Sequence, residues 1–423
     1  MLRRFVRGAI GLSGLTVAGQ ASYLLALPLL SRLYSPADFG LFTVYLSVVN
    51  ISPPLTGLCF EAALFSASDR NDARVIVRLF LTTLLVMTFV TTGLVSFGSE
   101  RLGGEFGHAI QAMFVILPFG IFLAGLNHCA SAWAIHNNSL RTLAIARFMQ
   151  PFSLTILQIV FGLMHLPAAF LLVAHLGGAA TYAAVVITRT ISRDDVAGIV
   201  GVPIRKIVAK ARADIKFPLF TMPDLLMGLL ANNLAPLLMS PLFGAGVAGQ
   251  YGVAYRVVAA PLTVICQPLG LSFINEATHS KDPAALRTAT RFIAAISLIV
   301  VAIPVLIFGF YAPYLAPFAL GPQWDLAGRI AAALSVMGAA QALASPFIEV
   351  TSIYRRQKVR LIVTTVRLCL LFAPFAWGVY AGWDALSTIR LMVAGGTVGH
   401  LLYLAASLLV LRAAMRRMEA RPS

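Results

Sequence analysis

The sequence predicts an all-α, polytopic membrane protein of about twelve transmembrane helices, arranged as two six-helix lobes. Composition is the first reason. The chain has 423 residues, 59% hydrophobic and 11% charged, with a mean hydropathy of +0.86, whereas soluble domains carry about 25% charged residues. So little polar surface cannot cover a folded body in water, and lipid is the solvent that fits. Length is the second reason. Twelve spans of about 22 residues take about 264 and leave about 160 for loops and tails, which excludes a large extramembrane domain. The third is charge placement. With the N-terminus inside, 26 of the 32 Lys and Arg fall in or near inner connections and tails, and 4 near outer ones. That bias favours an even number of spans with both termini cytoplasmic.

Spans are expected at 8–30, 41–65, 76–97, 109–133, 143–163, 168–190, 217–243, 248–272, 290–313, 326–348, 359–380 and 387–411. The N-terminus, MLRRFVRGAIGLSG, opens like a signal peptide. Its apolar run continues to Leu30 with no convincing cleavage site, so it reads as a retained first span. The net charge of +16 raises the question of nucleic acid. In so apolar a chain it fits basic loops facing the cytoplasm and an anionic leaflet better. Cys59, Cys129, Cys266 and Cys369 lie far apart inside apolar runs. They read as small packing residues rather than disulfide or zinc ligands.

Residues 191–216 form the longest internal break and contain PIRKIVAKARADIK. Ile204, Ile207, Val208, Ala211 and Ile215 fall on one helical face, with Arg205, Lys206, Lys210, Arg212 and Lys216 around the rest. The expectation is an amphipathic helix lying on the cytoplasmic leaflet; the alternative is an ordinary basic loop. The chain accordingly divides into an N-terminal lobe 1–192, a linker 193–216 and a C-terminal lobe 217–423. The halves echo each other. Leu30-Ser31-Arg32-Leu33-Tyr34, followed by Gly40 and Phe42, stands against Met239-Ser240-Pro241-Leu242-Phe243, followed by Gly249 and Tyr251, at a constant offset of 209. A second echo joins Asn137–Arg141 to Arg356–Arg360. Six spans per half give both halves one orientation, and in such parallel repeats the substrate path lies between them.

No catalytic, cofactor or metal constellation is found, and an enzyme is not expected. There is no P-loop, and His128, His175 and His400 are single residues in separate spans. What remains is a set of charges inside spans. Each costs about 2.5–3.5 kcal/mol at mid-membrane on insertion scales, so each should face a cavity or a partner. Arg256 lies about two turns inside span eight, and Arg32 closes span one on the outer side. Glu61 sits near the inner end of span two. Asp224 lies inside span seven, with Asn232 and Asn233 further along. Arg147 and Arg367 occupy matching places near the inner ends of spans five and eleven. Arg32, Arg147 and Arg367 can snorkel to headgroups, whereas Arg256 is deep enough to favour a cavity. Glu61 and Asp224 stand between two roles, coupling or gating sites and structural partners of a buried arginine. Pro53-Pro54, Pro218, Pro223, Pro236, Pro261 and Pro268 concentrate in spans two, seven and eight, where they allow bending.

The segments ALPLLSRLYSPADFGLFTVYLSVVNI with FEAALF, KFPLFTMPDLLMGLLANNLAPLLMSPLFGAGVAGQYGVAYRVVAAPL, QWDLAGRI and SIYRRQKVR together resemble bacterial polysaccharide-exporter flippases of the O-antigen (Wzx) type. These share a superfamily with multidrug (MATE) exporters and the lipid II flippase. The resemblance implies a MATE-like fold around a central cavity. It also implies a polyprenyl-diphosphate-linked oligosaccharide substrate, an O-antigen or exopolysaccharide repeat unit, moved from the inner to the outer leaflet. It implies that Arg256 and Arg32 stand where related flippases carry cavity arginines and contact the diphosphate; beside them, by their place inside spans, Asn232 and Asn233 are read as cavity-lining residues and Glu61 and Asp224 as coupling or gating candidates. The implied setting is the bacterial inner membrane, with membrane lipids and the polysaccharide polymerase machinery as partners and no nucleic acid. No arginine lies deep within span one, which argues against lipid II itself. Two alternatives remain: a cation-coupled exporter of small amphipathic molecules, and a non-transporting membrane component of glycan assembly.

Overall fold

The computed structural model describes residues 2–102, 107–279, 283–354 and 356–419; some side chains, chiefly in 2–13, 94–102, 107–112 and 261–304, are outside the description. Among the described residues, all regular structure is helical: α1 Leu2–Leu33, α2 Pro36–Gly57, α3 Arg70–Leu102, α4 Gly107–His136, α5 Leu140–Leu163, α6 Ala169–Thr190, α7 Arg193–Val200, α8 Ile204–Ala213, α9 Met222–Phe243, α10 Ala245–His279, α11 Pro283–Leu306, α12 Ala312–Leu320, α13 Asp325–Ala344, α14 Val350–Ile353, α15 Gln357–Tyr380 and α16 Ala385–Glu419. Helix is what lipid demands of the backbone, because each N–H and C=O must find its partner within the segment. Ten of the described helical segments are long and apolar enough to cross a membrane. Expected spans eight and nine lie on α10 and α11, which carry undescribed residues, and the bends expected at Pro261 and Pro268 fall on side chains outside the description. Leu25, Phe89, Phe119, Phe310 and Phe318 stand exposed, as side chains solvated by acyl chains should.

By internal contacts the chain forms two compact units, Met1–Gly249 and Gln250–Ser423. In the first, α1 packs on α5, α5 on α6, α4 on α6, α2 on α4, and α3 on α4. Phe80, Leu84 and Trp133 centre one core, and Ala130, Ala134, Ala146 and Tyr182 another, where alanines let α4, α5 and α6 approach closely. Helix α9, assigned by sequence to the second lobe, packs on α2. Small residues permit a further approach at the start of α2. A β-carbon on Gly40 would collide with the Ala245 carbonyl, and one on Gly249 with the Pro36 carbonyl. Pro36 with Ala245, and Gly40 with Gly249, are each 209 residues apart, the offset of the sequence echo. The two contacts are therefore reciprocal.

In the second unit, α15 packs on α16, α16 on α13, and α13 on α11 and α12. Phe273 and Phe347, 4.9 Å apart between centroids at 71°, centre a core with Leu286, Val350 and Leu411.

Two expectations need correction. The first is span two. Helix α2 stops at Gly57 instead of reaching residue 65. The chain then passes through Leu58 and Cys59 at φ 50° and 57°, a left-handed stretch unusual for such side chains, into a 3-10 turn at Phe60–Ser66. Glu61 sits on that turn and not within a span helix. The second is the linker. Helices α7 and α8 form, but α8 does not lay its whole apolar face on the leaflet. Ile207 is buried with Phe60 and Leu79, and Ala211 packs beside them, while Ile204, Val208 and Ile215 stay exposed. The cause is electrostatic anchoring of the linker to α3. Lys210 Nζ lies 2.8 Å from Asp72. The fully buried Asp195 accepts from Arg70 Nε and Nη2 at 2.8 and 2.7 Å, and from Arg74 Nε and Nη2 at 3.2 and 2.9 Å.

Candidate functional site

In the first unit, four of the polar residues expected in the substrate path or in coupling lie on α9 and on the turn after α2. Asn233 and Asn232 are in the middle of α9. Each amide donates to the carbonyl four residues back, Asn232 to Gly228 at 3.2 Å and Asn233 to Leu229 at 2.9 Å. Asn233 is half-buried, and its Oδ1 accepts from Asn50 Nδ2 on α2 at 3.3 Å. A polar bridge between two apolar spans replaces water that hydrocarbon cannot supply. Asn232 is exposed. Asp224, also exposed, occupies the first turn of α9, just past a π-helical turn at Phe217–Thr221. Pro218 lies within that turn and Pro223 just beyond it, so irregular backbone does appear where the prolines predicted it.

Glu61 is buried, and its Oε1 lies 3.1 Å from His128 Nδ1 on α4. Its Oε2 has no hydrogen-bond partner. The half-exposed His128, one of the three histidines the sequence shows as isolated, is thus the partner of a buried carboxylate. His175 similarly meets Tyr45 Oη at 3.2 Å. Arg32 ends α1 and is exposed, next to the capping box in which Ser35 and Asp38 start α2. Arg147 on α5 is exposed as well.

In the second unit, Arg256 is half-buried on α10. Its neighbour Tyr255 projects about 100° away around the helix and lies within electrostatic reach of Arg367. Arg367, expected to snorkel, is half-buried on α15. It lies within reach of Tyr255, Tyr403 and His400, and no carboxylate pairs with it among the described residues. Gly399 makes room for it: a β-carbon there would sit 2.8 Å from Arg367 Cγ, so glycine lets the arginine stem lie against α16. Sequence reasoning missed this cluster and Asn50. The available signal was a set of polar residues on three apolar spans, which only packing brings together. Among the described residues, no three His, Cys, Asp or Glu gather as a metal site. The first unit thus offers the α9 amides and the buried Glu61 carboxylate, and the second the half-buried guanidinium groups of Arg256 and Arg367.

Solved structures share this fold. The lipid II flippase MurJ in an inward closed conformation superposes with a TM-score of 0.71 at 11% identity, covering 98% of this chain and 92% of that one. An inward-facing multidrug resistance MATE family transporter of the MOP superfamily gives 0.61 at 14% identity over 97% and 96%. A Vibrio cholerae MATE transporter, VcmN, in the bent form gives 0.56 at 13% identity over 98% and 97%. No curated protein matches in sequence. The profile of a family described as polysaccharide biosynthesis protein matches residues 29–328, well over half of the chain. With its helices of membrane-crossing length and its MATE-like fold, the chain belongs to the polysaccharide biosynthesis protein family.

Proposed function

We propose that the protein is a flippase that carries a polyprenyl-diphosphate-linked oligosaccharide from the inner to the outer leaflet by alternating access. The carrying observation is the match to a polysaccharide biosynthesis family in a chain built almost wholly of spans. A protein that serves glycan assembly from within the membrane handles a glycan that is itself held there by a lipid. The polyprenyl tail can stay in lipid. The diphosphate and sugars cannot, since unsatisfied polar and charged groups in hydrocarbon are very costly. Guanidinium groups meet phosphate oxygens in bidentate fashion, and amides such as Asn232 and Asn233 suit sugar hydroxyls.

In this reading the lobes are 1–192 and 217–423, joined by the linker, in an inner membrane with both termini cytoplasmic. Arg256 and Arg32 contact the diphosphate, and Glu61 and Asp224 couple or gate transport. The reaction forms and breaks no covalent bond, so the protein is not an enzyme, and the polymerase machinery receives the translocated unit. Arg256 provides the test. Arg256→Ala should abolish glycan export in a complemented export-deficient strain while membrane-inserted protein stays constant, and Arg256→Lys should rescue in part. Normal export per inserted Arg256→Ala molecule would end the role assigned to this arginine.

A further inference from the structure

A cavity of about 440 Å³ opens in the second unit, where the turn after α14 meets the last turns of α16, lined among others by Tyr354, Arg356, Val410, Ala414, Arg417 and Met418. Val410, Ala414 and Met418 follow each other at intervals of four, so they form one apolar stripe along α16. Arg356 and Arg417 are both exposed and flank that stripe. The acids nearby are already engaged: Glu349 pairs with Arg360 at 3.3 Å, and Glu419 pairs with Arg287. Neither cavity arginine has a carboxylate partner among the described residues. Arg356 is also the residue before α15, whose N-terminus has no side-chain cap, so the positive end of that helix adds to the field.

Tyr354 points to a ligand independently. Its hydroxyl is closed off from the cavity as it stands and has no hydrogen-bond partner, a cost that a turn of the side chain toward a ligand oxygen would remove. Two unpaired guanidiniums, one unmet hydroxyl and an apolar stripe at the end of a span match one chemistry, a phosphate ester on a long hydrocarbon chain.

We propose that this cavity binds a lipid phosphate. The phosphate sits between Arg356 and Arg417, the Tyr354 side chain turns so that its Oη donates to one of the phosphate oxygens, and the chain runs along Val410, Ala414 and Met418 into the membrane. Two sources share this chemistry, an anionic diacyl phospholipid of the leaflet and a polyprenyl diphosphate. The site stands whether or not the flippase reading does, because it lies apart from Arg256, Arg32 and the α9 asparagines in sequence and element.

The test is native mass spectrometry of the full-length protein, with phosphatidylglycerol, phosphatidylcholine or a polyprenyl diphosphate added. The wild type should retain a phosphatidylglycerol about tenfold more tightly than phosphatidylcholine, and the Arg356→Gln/Arg417→Gln variant should lose that preference. Tyr354→Phe should weaken retention while its thermal midpoint is unchanged or raised, whereas a hydroxyl that served nothing would be removed without effect on lipid. Displacement of phosphatidylglycerol by the polyprenyl diphosphate supports the site and assigns it to the carrier. Failure to displace supports it and assigns it to the leaflet. Equal retention of phosphatidylcholine, or undiminished retention by the double variant or by Tyr354→Phe, overturns the proposal.

Discussion

Arg367 carries a charge that the fold places among aromatic and histidine side chains, against the glycine face of α16. A buried charge without a carboxylate partner is a poor source of stability, and replacing it with an apolar residue of similar length is often neutral or stabilising. Arg367→Met should therefore leave the thermal midpoint of the purified protein unchanged or raise it. A large loss of stability would show that the guanidinium holds the unit together. The position also marks what a sequence can convey at this scale. Arg367, Tyr255, Tyr403 and His400 are each visible in a span. Their meeting depends on how α10, α15 and α16 rotate about their axes, which no single span encodes. Arg256 and Asn233 were legible because a polar residue in an apolar run announces itself. Asn50 was equally visible but had no distinguishing depth or neighbour.

Among the elements, the linker shows how ion pairs redirect an amphipathic helix. Its helical period was legible, and so was its basic character. Which half of its apolar face meets protein was not, because that is set by Asp195 and Lys210 reaching α3, some 120 residues away in sequence from Asp195 to Arg74. Hydrogen bonds from Arg70 first, then from Ser192 and Arg74, outweigh burial and hold the Asp195 carboxyl well below the usual carboxylate range. A lowered folded value means that this clamp contributes fully above the unfolded aspartate pKa of about 3.9, and that its contribution is lost as pH falls from there through the folded value. Docking of α7 and α8 should be constant between pH 5 and pH 8. Asp195→Asn should weaken it by roughly 2 kcal/mol, about thirtyfold in local opening. Hydrogen exchange over 193–213 reads this directly, and unchanged protection in the variant would refute the clamp.

For the whole molecule, composition and charge placement were enough to read an all-helical chain of membrane-crossing helices, because lipid leaves the backbone few options. The echo at offset 209 was legible as well. Its physical expression is the reciprocal meeting of Gly40 with Ala245 and of Gly249 with Pro36, where small residues are the only ones that fit. Function was less legible. The family and the fold identify a membrane protein of glycan assembly. In the proposed reading, substrate choice rests on a few polar side chains whose joint presentation no single span encodes.

Translocation itself is the central claim, and it can be measured without reference to any single residue. The purified protein is reconstituted into vesicles, a lipid-linked oligosaccharide is loaded in the inner-facing leaflet, and its sugars are probed from the other side with a membrane-impermeant oxidant. The flippase account predicts that sugars become accessible with protein present and stay inaccessible in protein-free vesicles and with Arg256→Ala. Equal protection with and without the wild-type protein, across imposed proton and sodium gradients, would contradict it.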